Sequence, residues 1–125
     1  MIVPYTISLD TVQTTVTVSN SQMQAHIYFK VKSTQNVELK GQWYYTAIGD
    51  GEGRPLGSTV VDPKFPNGYT ISTGNSNVEY TTDFIGTKMY VEGLDNDLFE
   101  GVLIQFIAEG VDGASFGGQV YNIER

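Results

Sequence analysis

The sequence predicts an all-β fold: one antiparallel β-sandwich domain over residues 1–125, built from about eight to ten short strands, with a barrel as the alternative. Three observations carry this expectation. In Gln24–Lys32, Ala25, Ile27, Phe29 and Val31 take every second place, and His26, Tyr28, Lys30 and Lys32 stand between them. Successive side chains on a strand point to opposite faces, so this is a strand with one buried and one wet face. Clusters of Gly, Pro, Asn, Asp and Ser then punctuate the chain at short intervals, which is the rhythm of strands joined by turns. Finally, no helix start signal is followed by a helical period.

Before the organising strand, Ile7, Leu9, Val12, Thr14, Val16 and Val18 read as one or two β segments ending at Ser19-Asn20-Ser21. After it, Ser33–Asn36 is short and polar and suits a hairpin, with Val37–Ala47 as the return strand. On that strand Trp43, Tyr45 and Ala47 share one face, and Gln42, Tyr44 and Thr46 the other. Gly49–Gly57 holds four Gly and a Pro and reads as a flexible loop. Ser58–Val61 is a short strand at best, and Asp62–Gly68, with two Pro, is an irregular connection. Tyr69–Thr73 and Val78–Thr82 look like a hairpin around Gly74–Asn77. Lys88–Glu92 is a short strand, and Gly93–Asp97 a turn. Val102–Ile107 is the most apolar run and lacks alternation, so it is expected mid-sheet with both faces covered, or near an edge under a loop. Phe116–Ile123 is the last strand, loosened by Gly117 and Gly118.

Trp43, on the strand after the organising strand, occupies a place that resembles the core Trp of immunoglobulin-type sandwiches. The Cys pair and the tyrosine corner of those domains are absent. The expected architecture is therefore immunoglobulin-like or jelly-roll in kind, without membership of a family.

Composition narrows the function. The chain has no Cys, which rules out disulfides, thiolate metal sites and thiol catalysis. No apolar run approaches the ~20 residues of a membrane-spanning helix, and Met1–Tyr5 does not begin an export signal, so no secretory processing is expected. Net charge is −7 and lies unevenly: residues 1–66 balance, whereas residues 67–125 carry nine acids against Lys88 and Arg125. An acidic domain with no basic stripe repels phosphate backbones and anionic lipid, so neither nucleic acid nor membrane is an expected partner.

Chemistry-bearing residues are few. His26 is the only His and sits on the polar side of a regular strand, where an exposed strand residue is expected rather than a general base. Asp95, Asp97 and Glu100, with Glu92 nearby, form the densest acid cluster, and Asp112 stands on another loop. The spacing departs from the EF-hand loop, because Phe99 and Glu100 hold its fifth and sixth positions, so no metal is expected and calcium should not raise stability. Gly49-x-Gly51-x-Gly53 lacks the Lys-Ser/Thr ending of a phosphate loop. No cofactor and no catalytic residue is expected.

Trp43 and Tyr45 are expected in the core. Tyr44 would then face water beside Tyr28, if their strands pair, as a partner-binding platform. The expected function is a non-catalytic structural protein working by contact with another protein or with other copies of itself. In general character the chain resembles bacteriophage virion accessory proteins, such as capsid decoration, tail or baseplate subunits, which implies a virion location. A carbohydrate-binding module using Tyr28, Tyr44, Phe65 or Tyr69 is the alternative, and a hydrolase using paired carboxylates the third reading.

Overall fold

A computed structural model describes residues 5–19, 22–33, 38–49, 51, 53–57, 59–72, 79–86, 88–90, 99–109 and 115–124. Twelve strands and no helix occur among them. In chain order they are β1 (Tyr5–Leu9), β2 (Thr15–Ser19), β3 (Gln22–Ser33), β4 (Glu38–Gly49), β5 (Arg54–Pro55), β6 (Val60–Val61), β7 (Tyr69–Ser72), β8 (Glu79–Ile85), β9 (Met89–Tyr90), β10 (Phe99–Ala108), β11 (Phe116–Val120) and β12 (Ile123–Glu124). Two sheets pack against each other as a sandwich, and no barrel closes.

Each sheet is organised by one 12-residue strand. In the first sheet β3 is central. β1 and β2 follow one another along one of its edges, β8 and β9 along the other, and β12 joins β2 in parallel. The ladder pauses between β1 and β2, where Asp10–Gln13 turns out of the sheet. The Asp10 carboxylate accepts the N–H groups of Val12 and Gln13 at 3.0 and 3.1 Å, and Asn122 donates to the carbonyls of Thr11, Val12 and Thr14. In the second sheet β4 pairs β10 from Gly41 to Gly49, with β11 beyond it. The other edge of β4 is met by β7, β6 and β5 in turn.

The alternation read from the sequence sets the core. Ile27, Phe29, Trp43, Val102, Ile104 and Phe106 are all buried in one cluster, as expected. Phe116, Phe106 and Trp43 stand in one register row across β11, β10 and β4. Phe29 of the facing sheet packs on that row, its ring centroid 5.8 Å from that of Trp43. Gly41 makes room for the Phe106 ring of that row, because a Cβ there would lie 2.8 Å from Phe106 Cζ and 2.3 Å from the Ile107 carbonyl oxygen. One polar pair is also sealed inside: Tyr45 Oη donates to Asp62 Oδ2 at 2.5 Å, and Asp62 Oδ1 accepts the Lys64 N–H at 2.9 Å. Burial, then the bond to the Asp62 carboxylate, pushes the Tyr45 hydroxyl far above its ordinary range.

Three expectations are corrected. β3 and β4 do not form a hairpin. They belong to opposite sheets and face each other through their apolar sides. Alternation records that one face is buried and is silent on whether the neighbour lies beside it or across the core. For the same reason the expected hairpin of residues 69–82 is absent, since β7 pairs β4 and β8 pairs β3. Finally, β10 does lie mid-sheet, but only its inner face is covered, and Ile107 on the outer face is 46% exposed.

Candidate interaction face

The two outer faces of the sandwich differ in chemistry. On the first sheet, β3 directs Gln24, His26, Tyr28 and Lys30 outward, because Ala25, Ile27 and Phe29 are buried on the other side. His26 is fixed from two directions. Its Nε2 lies 2.9 Å from Asp83 Oδ2 on β8, and its ring stacks on Tyr28 with centroids 4.9 Å apart and planes 14° from parallel. On the side of His26 away from Tyr28 is an open depression of about 340 Å³, lined by Thr15, Thr17, Gln24, His26 and Glu124. No hydroxyl of the described residues bonds to the second nitrogen of His26.

The second sheet presents an uncharged patch at the centre of its outer face. The patch holds Gln42, Tyr44 and Thr46 on β4, Leu103, Gln105 and Ile107 on β10, and Gly117 and Gln119 on β11, and exposed Lys40, Arg54, Glu100 and Glu109 stand at its margins. No residue of the patch is ionisable apart from the Tyr44 phenol, in a chain of net charge −7. Val61, cross-strand from Tyr44, is 41% exposed, and Tyr121, just past β11, is 56% exposed. The backbone itself shapes the surface. Gly117 pairs with Gln105, and a Cβ on it would stand 2.3 Å from the Ile104 carbonyl oxygen and 3.0 Å from Gln105 Cα. No side chain fits there, and a trough of about 370 Å³ opens between Leu103, Gln105, Ile107 and Gln119. One end of the face is closed by the segment after β4. The Gly51 N–H donates to Glu100 Oε1 at 2.9 Å, and the hydroxyls of Thr46 and Thr59 bond at 2.8 Å. The stretch read as a flexible loop, Gly49–Gly57, is thus tied to the sheet at Gly51, and Arg54 and Pro55 within it pair β4.

Tyr28 and Tyr44 both point outward and are both half-buried, as strand alternation requires. They do not share a platform, because β3 and β4 lie in different sheets and the two rings stand on opposite sides of the molecule. Tyr28 belongs with His26 and Asp83, and Tyr44 with Val61 and Gln105. The remaining aromatic candidates, Phe65 and Tyr69, pack on one another with centroids 4.8 Å apart. Of the acid cluster only Glu100 is described, and it serves the Gly51 N–H; Glu92, Asp95, Asp97 and Asp112 lie outside the described residues. Among the described residues no group of three acidic or His side chains is placed to hold a metal ion.

The sequence reading missed Leu103, Gln105, Ile107, Gly117 and Gln119 as surface residues. A signal for them was present: residues 41–49, 101–108 and 115–123 contain no charged side chain. No protein-family model matches this chain, and no curated protein matches it either.

Proposed function

We propose that this protein is a non-catalytic structural module that works by protein–protein contact, through the uncharged central patch on the outer face of its second sheet. The observation that supports this is the contrast between that patch and the rest of the molecule. Interface cores are depleted of Asp, Glu and Lys and enriched in aromatic residues. Here β4, β10 and β11 place Tyr44, Leu103, Gln105, Ile107 and Gln119 together with no carboxylate or amine among them. Tyr44 is the central contact of this reading, and Tyr28 stands apart from it. A contact module of this size fits a small accessory subunit of a bacteriophage virion, in capsid decoration, tail or baseplate, an assignment that rests on general character alone.

The depression on the first sheet favours one second reading, a carbohydrate site. Its hydroxyls, amide and carboxylate suit sugar hydroxyls, and the free side of the His26 ring forms one wall. The test is to capture native complexes from the producing source on tagged protein and weigh them. Ile107→Asp and Tyr44→Ser are expected to lose the partner while melting like the parent, and Tyr28→Ser to keep it. Retention by Ile107→Asp would refute the proposed face. Binding on an oligosaccharide array, lost in Thr17→Val, would put the carbohydrate reading ahead.

A further inference from the structure

We infer that two copies of this chain join edge to edge through β11, extending the second sheet across a twofold axis. The inference goes beyond the contact reading above: it sets a second copy on the edge of the same sheet and leaves the outer face to the partner captured there. β11 is the last strand of its sheet, and no described strand pairs with its outer edge. Such an edge templates further pairing unless it is blunted by charge, proline, a bulge or short length. The opposite edge of the same sheet is blunted: it is cut into β5, β6 and β7, with Pro55, Pro63 and Pro66 along it. β11 carries none of these devices. It reads Phe-Gly-Gly-Gln-Val, and it pairs β10 in unbroken register from Phe116 to Val120.

The strand is also complementary to itself. An antiparallel twofold centred on Gly118 sets Phe116 opposite Val120 of the second copy, and Gly117 opposite its Gln119. Phe116 and Val120 both face the core side, Val120 already sealed and Phe116 partly exposed, so apolar residues of the two copies would stand opposite each other there. Gln119 and Gly117 both face outward, so the Gln119 side chain of one copy would lean over the trough that Gly117 opens in the other. No charged residue lies on the seam from Phe116 to Val120, and the two uncharged patches become one surface. The net charge of −7 on each copy opposes the union from a distance, so salt should strengthen it by screening.

Sedimentation velocity from low to high micromolar protein, at low and high salt, tests this. A dimer is expected that tightens with salt. Gln119→Lys, an exposed change that puts a charge on the edge, should weaken it by about tenfold or more, one poorly matched contact of about 1.4 kcal/mol giving a factor of ten. Ile107→Asp, which lies off the edge strand, should leave dimerisation in place. The absence of Cys makes site-directed spin labels clean. With labels at Tyr44→Cys, the two Cα positions should be ~25 Å apart, from five strand spacings of about 4.8 Å and a two-residue offset. A monomer at every concentration overturns the inference and leaves the contact reading to its own capture experiment. A dimer abolished by Ile107→Asp and indifferent to Gln119→Lys also overturns it, because the copies would then stack by their faces.

Discussion

Asp62→Ala removes a carboxylate sealed inside the sandwich, the one fully buried among the described residues, and its cost follows from two bonds. Asp62 is 0% exposed, accepts Tyr45 Oη at 2.5 Å and accepts the Lys64 N–H at 2.9 Å. Truncation leaves the fully buried Tyr45 hydroxyl without its acceptor, and a stranded buried donor costs ~1–3 kcal/mol. Loss of the Lys64 N–H bond adds about 1 kcal/mol at a partly buried site. The expected destabilisation is therefore ~2–4 kcal/mol, and Tyr45→Phe, which strands the carboxylate instead, should cost a similar ~2–4 kcal/mol. The double variant should cost less than the sum of the two, with a coupling of ~1–3 kcal/mol, because each single change leaves a widowed partner that the second removes. Asp62→Asn should be milder, since an amide still offers an acceptor to the Lys64 N–H and a donor that the Tyr45 hydroxyl can accept. The assay is urea unfolding followed by the fluorescence of Trp43, the single and fully buried Trp. A cost below about 0.5 kcal/mol for Asp62→Ala, the range of ordinary surface changes, or strict additivity in the double variant, would refute the reasoning.

Phe29→Ala removes the side chain that joins the first sheet to the aromatic row of the second, and should cost ~3–5 kcal/mol in the same unfolding assay. Gly41→Ala should cost about 3 kcal/mol by overpacking against Phe106 and the Ile107 carbonyl, read as a fall in the melting temperature. Asp10 supplies a pH dependence. Hydrogen bonds from the Gln13 N–H and side chain, then from Val12, with help from Lys30, hold its carboxyl below the ordinary value of 3.8. A carboxyl lowered by folding adds stability above its unfolded value and loses it as pH falls through the folded value. Melting temperature measured from neutral pH into strong acid should therefore fall less steeply below that value in Asp10→Asn than in the parent.

Much of the fold was legible because alternation is a local property. The apolar places of residues 24–32 and 42–47 named the buried side chains correctly, since a strand with one dry face has no freedom in which residues it buries. Pairing was not legible. Twelve-residue strands joined by a short polar segment satisfy the same pattern as neighbours in one sheet or as opposing strands across a core, and here they oppose. That single ambiguity separated Tyr28 from Tyr44. The candidate face was half legible for a similar reason. Its three charge-free stretches stand plainly in the sequence, but β4 meets β10 only through a pairing across more than fifty residues, Trp43 with Phe106. The trough was not legible at all, since it depends on how closely Gly117 approaches the Ile104 carbonyl. Asp62 was hidden inside a stretch that reads as an irregular, proline-flanked connection, where a carboxylate is expected to face water.

The central claim is that the outer face of the second sheet is where this protein meets its partner. Hydroxyl-radical footprinting, read residue by residue by mass spectrometry, tests it on the isolated protein and on the native assembly from the producing source. The predicted result is that Tyr44, Leu103, Ile107 and Tyr121 lose reactivity in the assembly, while His26 and Tyr28 on the opposite face keep theirs. Protection confined to His26 and Tyr28, with the second sheet as reactive as in the isolated protein, would contradict the account.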